Sequence, residues 1–319
     1  MTTDARRLER IPVEILEPPE ALARAVAHRI ASLVRERAAA KRSCVLGLAT
    51  GSTPVGVYRE LVRLHREEGL SFRDVETFNL DEYWPMDRDS IHSYHRFMRE
   101  NLFDLIDIDP GRTHLPPGDV SAEEADAACA AYEAAIRAAG GIDLQLLGIG
   151  KSGHIGFNEP GSGAESRTRT IRLDPMTRRD AAADFFGEQN VPRQAITMGV
   201  ATILEAREIC LLATGEHKSG IVRRAVEGGV DHAVAATFLQ RHPNATFYCD
   251  AAAAAELTRI ATPWLVDEVE WTAPLEVRAV VWLSQLAKKA ILKLTERDYG
   301  THHLGSLLSR HGQAGVVNG

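Results

Sequence analysis

Apolar positions along the chain switch repeatedly between two periods. In residues 20–40 they fall at Leu22, Val26, Ile30 and Leu33, one face of a helix. Residues 45–49 are an unbroken apolar run, which predicts a short buried strand. Residues 54–68 return to helical spacing, with Pro54 in the first turn and Val57, Leu61 and Leu64 inward. The alternation then continues with a strand over 75–80, helices over 94–106 and 122–138, and a strand over 142–149. Further strands are expected at 195–198, 208–213 and 247–249, and helices at 200–206, 218–227 and 251–260. Strand-then-helix units of this length predict an α/β fold, a mostly parallel sheet with helices on both faces. Beyond it, 275–295 reads as one long amphipathic helix and 297–311 as a shorter one. They are expected to form a C-terminal helical extension, 265–319, on a single domain of 1–319 residues, with a frayed tail over 312–319.

The strand over 142–149 runs into LGIGKSGHIGFNEPGS, residues 147–162. Gly148, Gly150, Gly153 and Gly156 surround His154, and Glu159 follows. Glycines let backbone amides approach a ligand, and histidine is the side chain whose ordinary pKa lies nearest neutrality. The end of a parallel strand is where open α/β sheets place ligands. The spacing fits neither GxGxxG followed by a helix nor GxxxxGK[ST]. The loop therefore reads as catalytic or as a tight connection.

Other strand ends carry further candidates. In LATGSTPVGVY, Thr50, Gly51, Ser52 and Thr53 precede a helix start, which suits a phosphate or simple capping by Ser52 or Thr53. In TFNLDEYWP a strand ends in Asp81 and Glu82, a general base or a solvated acidic turn. Adjacent strand residues point to opposite sides, so only one of the two need face a cleft. Arg167, Arg169, Arg172, Arg178 and Arg179 crowd one region, and Lys218 follows the strand over 208–213. Cations after strand ends suit an anionic ligand.

The net charge of −7 argues against a nucleic-acid binder. Cys44, Cys129, Cys210 and Cys249 are scattered without a CxxC, so they read as reduced core residues of a cytoplasmic protein, with neither a disulfide nor a zinc framework. The first sixteen residues are charged and lack an apolar stretch, so no secretory signal is expected, and no apolar run is long enough for a membrane span.

Taken in order, GLATGSTP, TFNLDEY, SYHRFM, LGIGKSGHIGFNEPGS, SRTR and the Lys218 segment resemble the glucosamine-6-phosphate deaminase/isomerase family, over about residues 40–250. The resemblance implies a Rossmann-like sheet shared with 6-phosphogluconolactonases and ribose-5-phosphate isomerases. It implies that Asp81 moves a proton between C2 and C1 of an open-chain sugar, that His154 assists ring opening, and that Glu159 orients His154. Gly51, Ser52, Thr53, Arg178 and Lys218 would hold the phosphate, with Ser152 and Gly153 contributing to the loop. Neither step calls for a metal or another cofactor. The partner expected is a small sugar phosphate, not nucleic acid or membrane, with self-association into a homo-oligomer left open.

The chain departs from the family at Ser152, where the family carries an Asp two residues before the histidine. A serine supplies no anion to favour the imidazolium. A subgroup with this loop and a WLV…ILKLT…RDY extension is the nearer resemblance. At the family's allosteric phosphate site Ser162 and Arg169 match, whereas Ile171 and Arg172 replace a Lys and a Thr. The expected activity is conversion of glucosamine 6-phosphate to fructose 6-phosphate and ammonia. The alternatives are a lactonase or an isomerase of another sugar phosphate, or a sugar-phosphate sensor without turnover.

Overall fold

The computed structural model describes residues 8–319. The N-terminal residues 1–7, part of the stretch read for a secretory signal, lie outside the described residues. Two compact units are present, one of Glu9–Ala255 and one of Glu256–Gly319 with Leu8.

The larger unit holds ten strands: β1 Val13–Ile15, β2 Cys44–Leu48, β3 Val75–Asn79, β4 Asp81–Trp84, β5 Thr113–His114, β6 Leu144–Gly148, β7 Arg169–Arg172, β8 Gln194–Thr197, β9 Ile209–Ala213 and β10 Ala245–Cys249. Its helices are α1 Pro19–Ala39, α2 Val55–Glu68, α3 Tyr94–Asn101, α4 Ala125–Ala138, α5 Pro175–Ala181, α6 Val200–Leu204, α7 Ser219–Glu227 and α8 Ala251–Ala254. Seven strands pair in parallel in the order β1-β10-β9-β6-β2-β3-β5. This is the mostly parallel α/β architecture that the alternating pattern predicts and the Rossmann-like sheet that the resemblance implies. Central strands β2 and β9 are buried at every residue, as expected where helices cover both faces. One face packs Leu46, Leu48, Leu144 and Leu146 against Val26 and Ile30 of α1 and Leu61 and Leu64 of α2.

The remaining three strands form a separate antiparallel sheet, β4-β8-β7. The sequence pattern does not separate β4 from β3, because only Leu80 lies between them. The 195–198 strand is present as β8, but antiparallel and in this second sheet. Tyr83, Phe157, Phe185 and Ala195 pack beneath it.

In the smaller unit α9 Thr258–Ala261, α10 Ala273–Ala287, α11 Glu296–Thr301, α12 Gly305–His311 and α13 Ala314–Val317 surround a core of Trp264, Trp271, Leu283, Tyr299, Leu304 and Leu307. Four expectations are corrected here. The helix expected over 275–295 stops at Ala287, where Lys288 turns left-handed at φ 53°. The one expected over 297–311 is broken at His303, φ 61°. The tail is not frayed: Ala314 is buried, and Asn318 accepts from the Tyr299 hydroxyl at 2.7 Å and donates to the Leu294 carbonyl at 3.0 Å. The helix expected over 251–260 is likewise two short pieces, α8 and α9.

Candidate active site

A cavity of about 220 Å³ opens at the carboxyl ends of the central strands. After β2 come Thr50, Gly51, Ser52 and Thr53, after β3 Leu80 and Asp81, and after β6 Gly150, His154, Gly156 and Phe157. Tyr94, from the first turn of α3, completes the wall. Three strand ends singled out from sequence thus converge on one space.

The turn after β2 is free for a ligand. Pro54 is the N-cap of α2 and no side-chain hydrogen bond closes the helix start, so the capping role open to Ser52 or Thr53 is not taken. A helix start with unused amides and two hydroxyls attracts an anion.

Asp81 and Glu82 are not a solvated turn; they are 5% and 3% exposed. Asp81 faces the cavity and Glu82 the opposite side, as strand alternation requires. Burial, reinforced by the charge of Glu82, pushes the Asp81 carboxyl up to about 8. Gly156, at φ +55°, lies against it: a Cβ there would come within 3.2 Å of Oδ2.

His154 is fixed from three directions. Its Nδ1 lies 2.9 Å from Ser152 Oγ and 3.4 Å from Glu159 Oε2. Its other nitrogen, Nε2, passes over Gly150, where a Cβ would sit 2.1 Å away. Glu159 is 8% exposed, and its Oε1 accepts the Asp174 amide at 3.2 Å. Burial works to raise the Glu159 carboxyl, but the neighbouring imidazole and that amide outweigh it and leave it below the usual range. Gly153 sits behind the loop: its amide donates to Gly150 O at 2.9 Å, and its φ is +84°.

The loop is tied to the second sheet. The Phe157 amide donates to Thr197 Oγ1 at 3.0 Å, and Asn158 Nδ2 donates to the Ile155 and Met198 carbonyls. The Met198 amide in turn donates to Leu80 O at 2.6 Å, beside Asp81.

Two expected phosphate ligands do not line the cavity. Arg178, on α5, lies 3.5 Å from Glu188. Lys218 sits just ahead of α7, where burial lowers its pKa, Asp180 opposes that and Lys151 adds to it. Lys151 pairs with Asp180 at 2.6 Å, so Lys218 and α5 share one charged neighbourhood. Tyr94 and Thr197 are the residues that sequence reasoning misses. The SYHRFM motif contains Tyr94, but its role depends on where α3 folds, and the packing of the His154 ring against Gly150 is not legible in the glycine spacing. Arg169 donates to Ser162 Oγ at 2.9 Å and to Asn158 Oδ1 at 3.1 Å, so the two matched positions of the second phosphate site do touch. Among the described residues no cluster of three or more His, Cys, Asp or Glu is arranged to hold a metal, and no helix is long and apolar enough to cross a membrane.

Comparison with known proteins shows the family. Residues 17–248 match the family described as glucosamine-6-phosphate isomerases/6-phosphogluconolactonase. A glucosamine-6-phosphate deaminase-like protein of Bacteroides thetaiotaomicron is 46% identical over 98% of this chain, but the chain spans only 47% of that relative's length. A glucosamine-6-phosphate deaminase of Shewanella loihica is 50% identical over 73% of this chain and 86% of its own. Among solved structures, a monomeric glucosamine-6-phosphate deaminase superposes with a TM-score of 0.74 at 40% identity, covering 77% of this chain and all of that one. The 6-phosphogluconolactonase of Trypanosoma brucei, at 24% identity and a TM-score of 0.62, shares the fold. With its strand-end site, its matched span and these relatives, the chain belongs to the glucosamine-6-phosphate isomerase/6-phosphogluconolactonase family.

Proposed function

We propose that the chain is a glucosamine-6-phosphate deaminase, converting glucosamine 6-phosphate and water to fructose 6-phosphate and ammonia. The observation that carries this reading is the convergence of Asp81, His154 and the Gly51–Ser52–Thr53 turn on one cavity. An aldose-to-ketose shift needs a base at C2 and a separate proton carrier at the ring oxygen, with the anionic end of the substrate anchored away from both.

In this reading the phosphate rests on the amides and hydroxyls after β2. The His154 ring, ahead of Thr177 and the Asp174 amide, is the neighbour that most lowers the Glu159 carboxyl, and its Nδ1 is the nitrogen facing Oε2, which favours an Nδ1–H on His154. That leaves Nε2 on the far side of the ring as the proton carrier for ring opening. Asp81, ionised, then takes the C2 proton and returns it to C1. Water adds at C2 and the nitrogen leaves as ammonia. Lys218 and Arg178 are phosphate ligands only if their side chains swing in toward the cavity. The setting proposed is cytoplasmic, which four free buried cysteines fit.

Ser152 favours a second reading, an isomerase of another sugar phosphate. It puts a neutral hydroxyl on the His154 ring where the family's carboxylate is expected. The experiment is a coupled assay for fructose 6-phosphate and ammonia from glucosamine 6-phosphate. Stoichiometric release of both supports deamination. Turnover of a different sugar phosphate with none of this one gives the second reading.

A further inference from the structure

Glu82 follows Asp81 on β4 and points away from it. Asp81 lines the cavity with His154, whereas Glu82 lines a second cavity of about 200 Å³ with Arg88, His95, His114 and Tyr132. A carboxylate this buried must be hydrogen-bonded to hold its charge. Glu82 accepts three backbone amides: Tyr83 at 2.9 Å and Tyr94 at 3.1 Å on Oε1, and His95 at 3.0 Å on Oε2. The last two are the first amides of α3, donors that no intrahelical carbonyl can satisfy. They also stand at the positive end of the helix. Tyr94, held in this way, lines the wall of the Asp81 cavity. One side chain therefore joins the strand that carries Asp81 to the helix that carries Tyr94.

We propose that Glu82 is a positioning residue for Asp81: it locks Tyr94 against the cavity, and its carboxylate, when ionised, stands behind the base and tunes its hold on the proton. The proposal rests on the reading of Asp81 as the base. The tyrosines near enough to feel the charge of Asp81 are Tyr58, Tyr83, Tyr94 and Tyr132, and His154 shares the cavity wall. Glu82 itself faces Asp119, Arg88 and His95. After burial, the charge of Glu82 is the contribution that raises the Asp81 carboxyl. Burial pushes the Glu82 carboxyl up to about 7, Asp119 adds to this, and the three amide bonds oppose it.

The test separates charge from tether. Glu82→Gln keeps the size and one acceptor oxygen but removes the charge. The acid limb of its kcat/KM–pH profile should move to lower pH by roughly half a unit or more. Glu82→Asp keeps the charge but is too short to hold α3. Its acid limb should stay in place while kcat/KM falls by about tenfold. A folded Glu82→Gln protein with an unmoved acid limb overturns the proposal. Should neither variant fold, carboxyl-carbon NMR of the parent decides: Asp81 should show two inflections, one coinciding with the titration of Glu82, and a single inflection overturns it. The NMR coupling is read without turnover, and loss of the base reading would appear instead as full activity in Asp81→Asn, so the two failures are distinguishable.

Discussion

The imidazole of His154 fills the space that a side chain on Gly150 would need, with Nε2 lying 2.1 Å from the place of that Cβ. The ring is clamped between the glycine on one side and Ser152 and Glu159 on the other. Gly150 is therefore part of how the histidine is aimed.

Gly150→Ala should displace the ring without straining the main chain, because Gly150 does not have a positive φ. Turnover should fall by about 100-fold, the scale of losing a positioned acid–base group. Stability should change by only about 1 kcal/mol, as for a modest steric insertion that a side chain can relieve. Steady-state kinetics beside a thermal melt check this. Turnover within about threefold of the parent would show that the ring is not needed in that place.

Asp81 should dominate the pH dependence. A base acts when ionised, so kcat/KM should climb as pH rises through about 8, the value to which burial and Glu82 push the carboxyl. Asp81→Asn should lower turnover by roughly 100-fold with substrate binding kept. The same shift makes a stability prediction of definite sign. The folded protein holds the Asp81 proton after the unfolded chain has released it, so stability declines as pH rises from the ordinary carboxylate range through about 8. Asn does not titrate. The melting temperature of Asp81→Asn should therefore gain on the parent with rising pH, by ~3 °C or more for each ~1 kcal/mol. A constant gap across that range would contradict the burial argument.

Lys218→Ala should mainly weaken binding of the sugar phosphate, by about 1.5–3 kcal/mol for a charge-assisted contact. It stands outside the cavity wall with burial lowering its pKa, and an incoming phosphate would supply the anion that holds its charge. Binding of phosphorylated and unphosphorylated glucosamine to parent and variant, by calorimetry, checks it. Equal affinity of the parent for the two sugars removes Lys218 from phosphate binding.

How far the sequence could be read follows from what each feature depends on. Strands β2 and β6 are legible because buried parallel strands are continuous apolar runs, and the turns after them announce themselves by glycine. The antiparallel sheet is not, since β4 begins two residues after β3 ends and its polar residues look like a turn. The stop at Lys288 is hidden because Ile291, Leu292 and Leu294 continue the apolar rhythm and neither Gly nor Pro marks the break. In the site, Asp81, His154 and the turn after β2 are fixed by backbone position and come together. Arg178 and Lys218 are long side chains whose direction no spacing rule sets, and neither reaches the wall. The role of Glu82 depends on where α3 begins in space, which its own neighbours in sequence do not reveal.

Ser152→Asp tests the departure from the family pattern. The serine hydroxyl is 2.9 Å from Nδ1, so a carboxylate at this position is within reach of the ring. Its charge should favour the imidazolium. If the missing anion limits deamination, ammonia release from glucosamine 6-phosphate should rise by about tenfold or more, with a displaced acid limb. If the loop serves another sugar, the added charge beside Glu159 is repulsive, and the variant should lose stability with no gain at any pH. Ammonia release against pH, for parent and variant, tells these apart.

The hydrogen bonds from Phe157 to Thr197 and from Asn158 to Met198 fasten the histidine loop to a sheet that does not carry it. The anchor lies downstream of His154, while Lys151 and Ser152 lie upstream and partly exposed. Exchange at Lys151 or Ser152 therefore leaves the loop's anchorage to that sheet untouched. What such an exchange alters is the polar contact beside the ring, while the main chain that carries the histidine stays tethered from its other end.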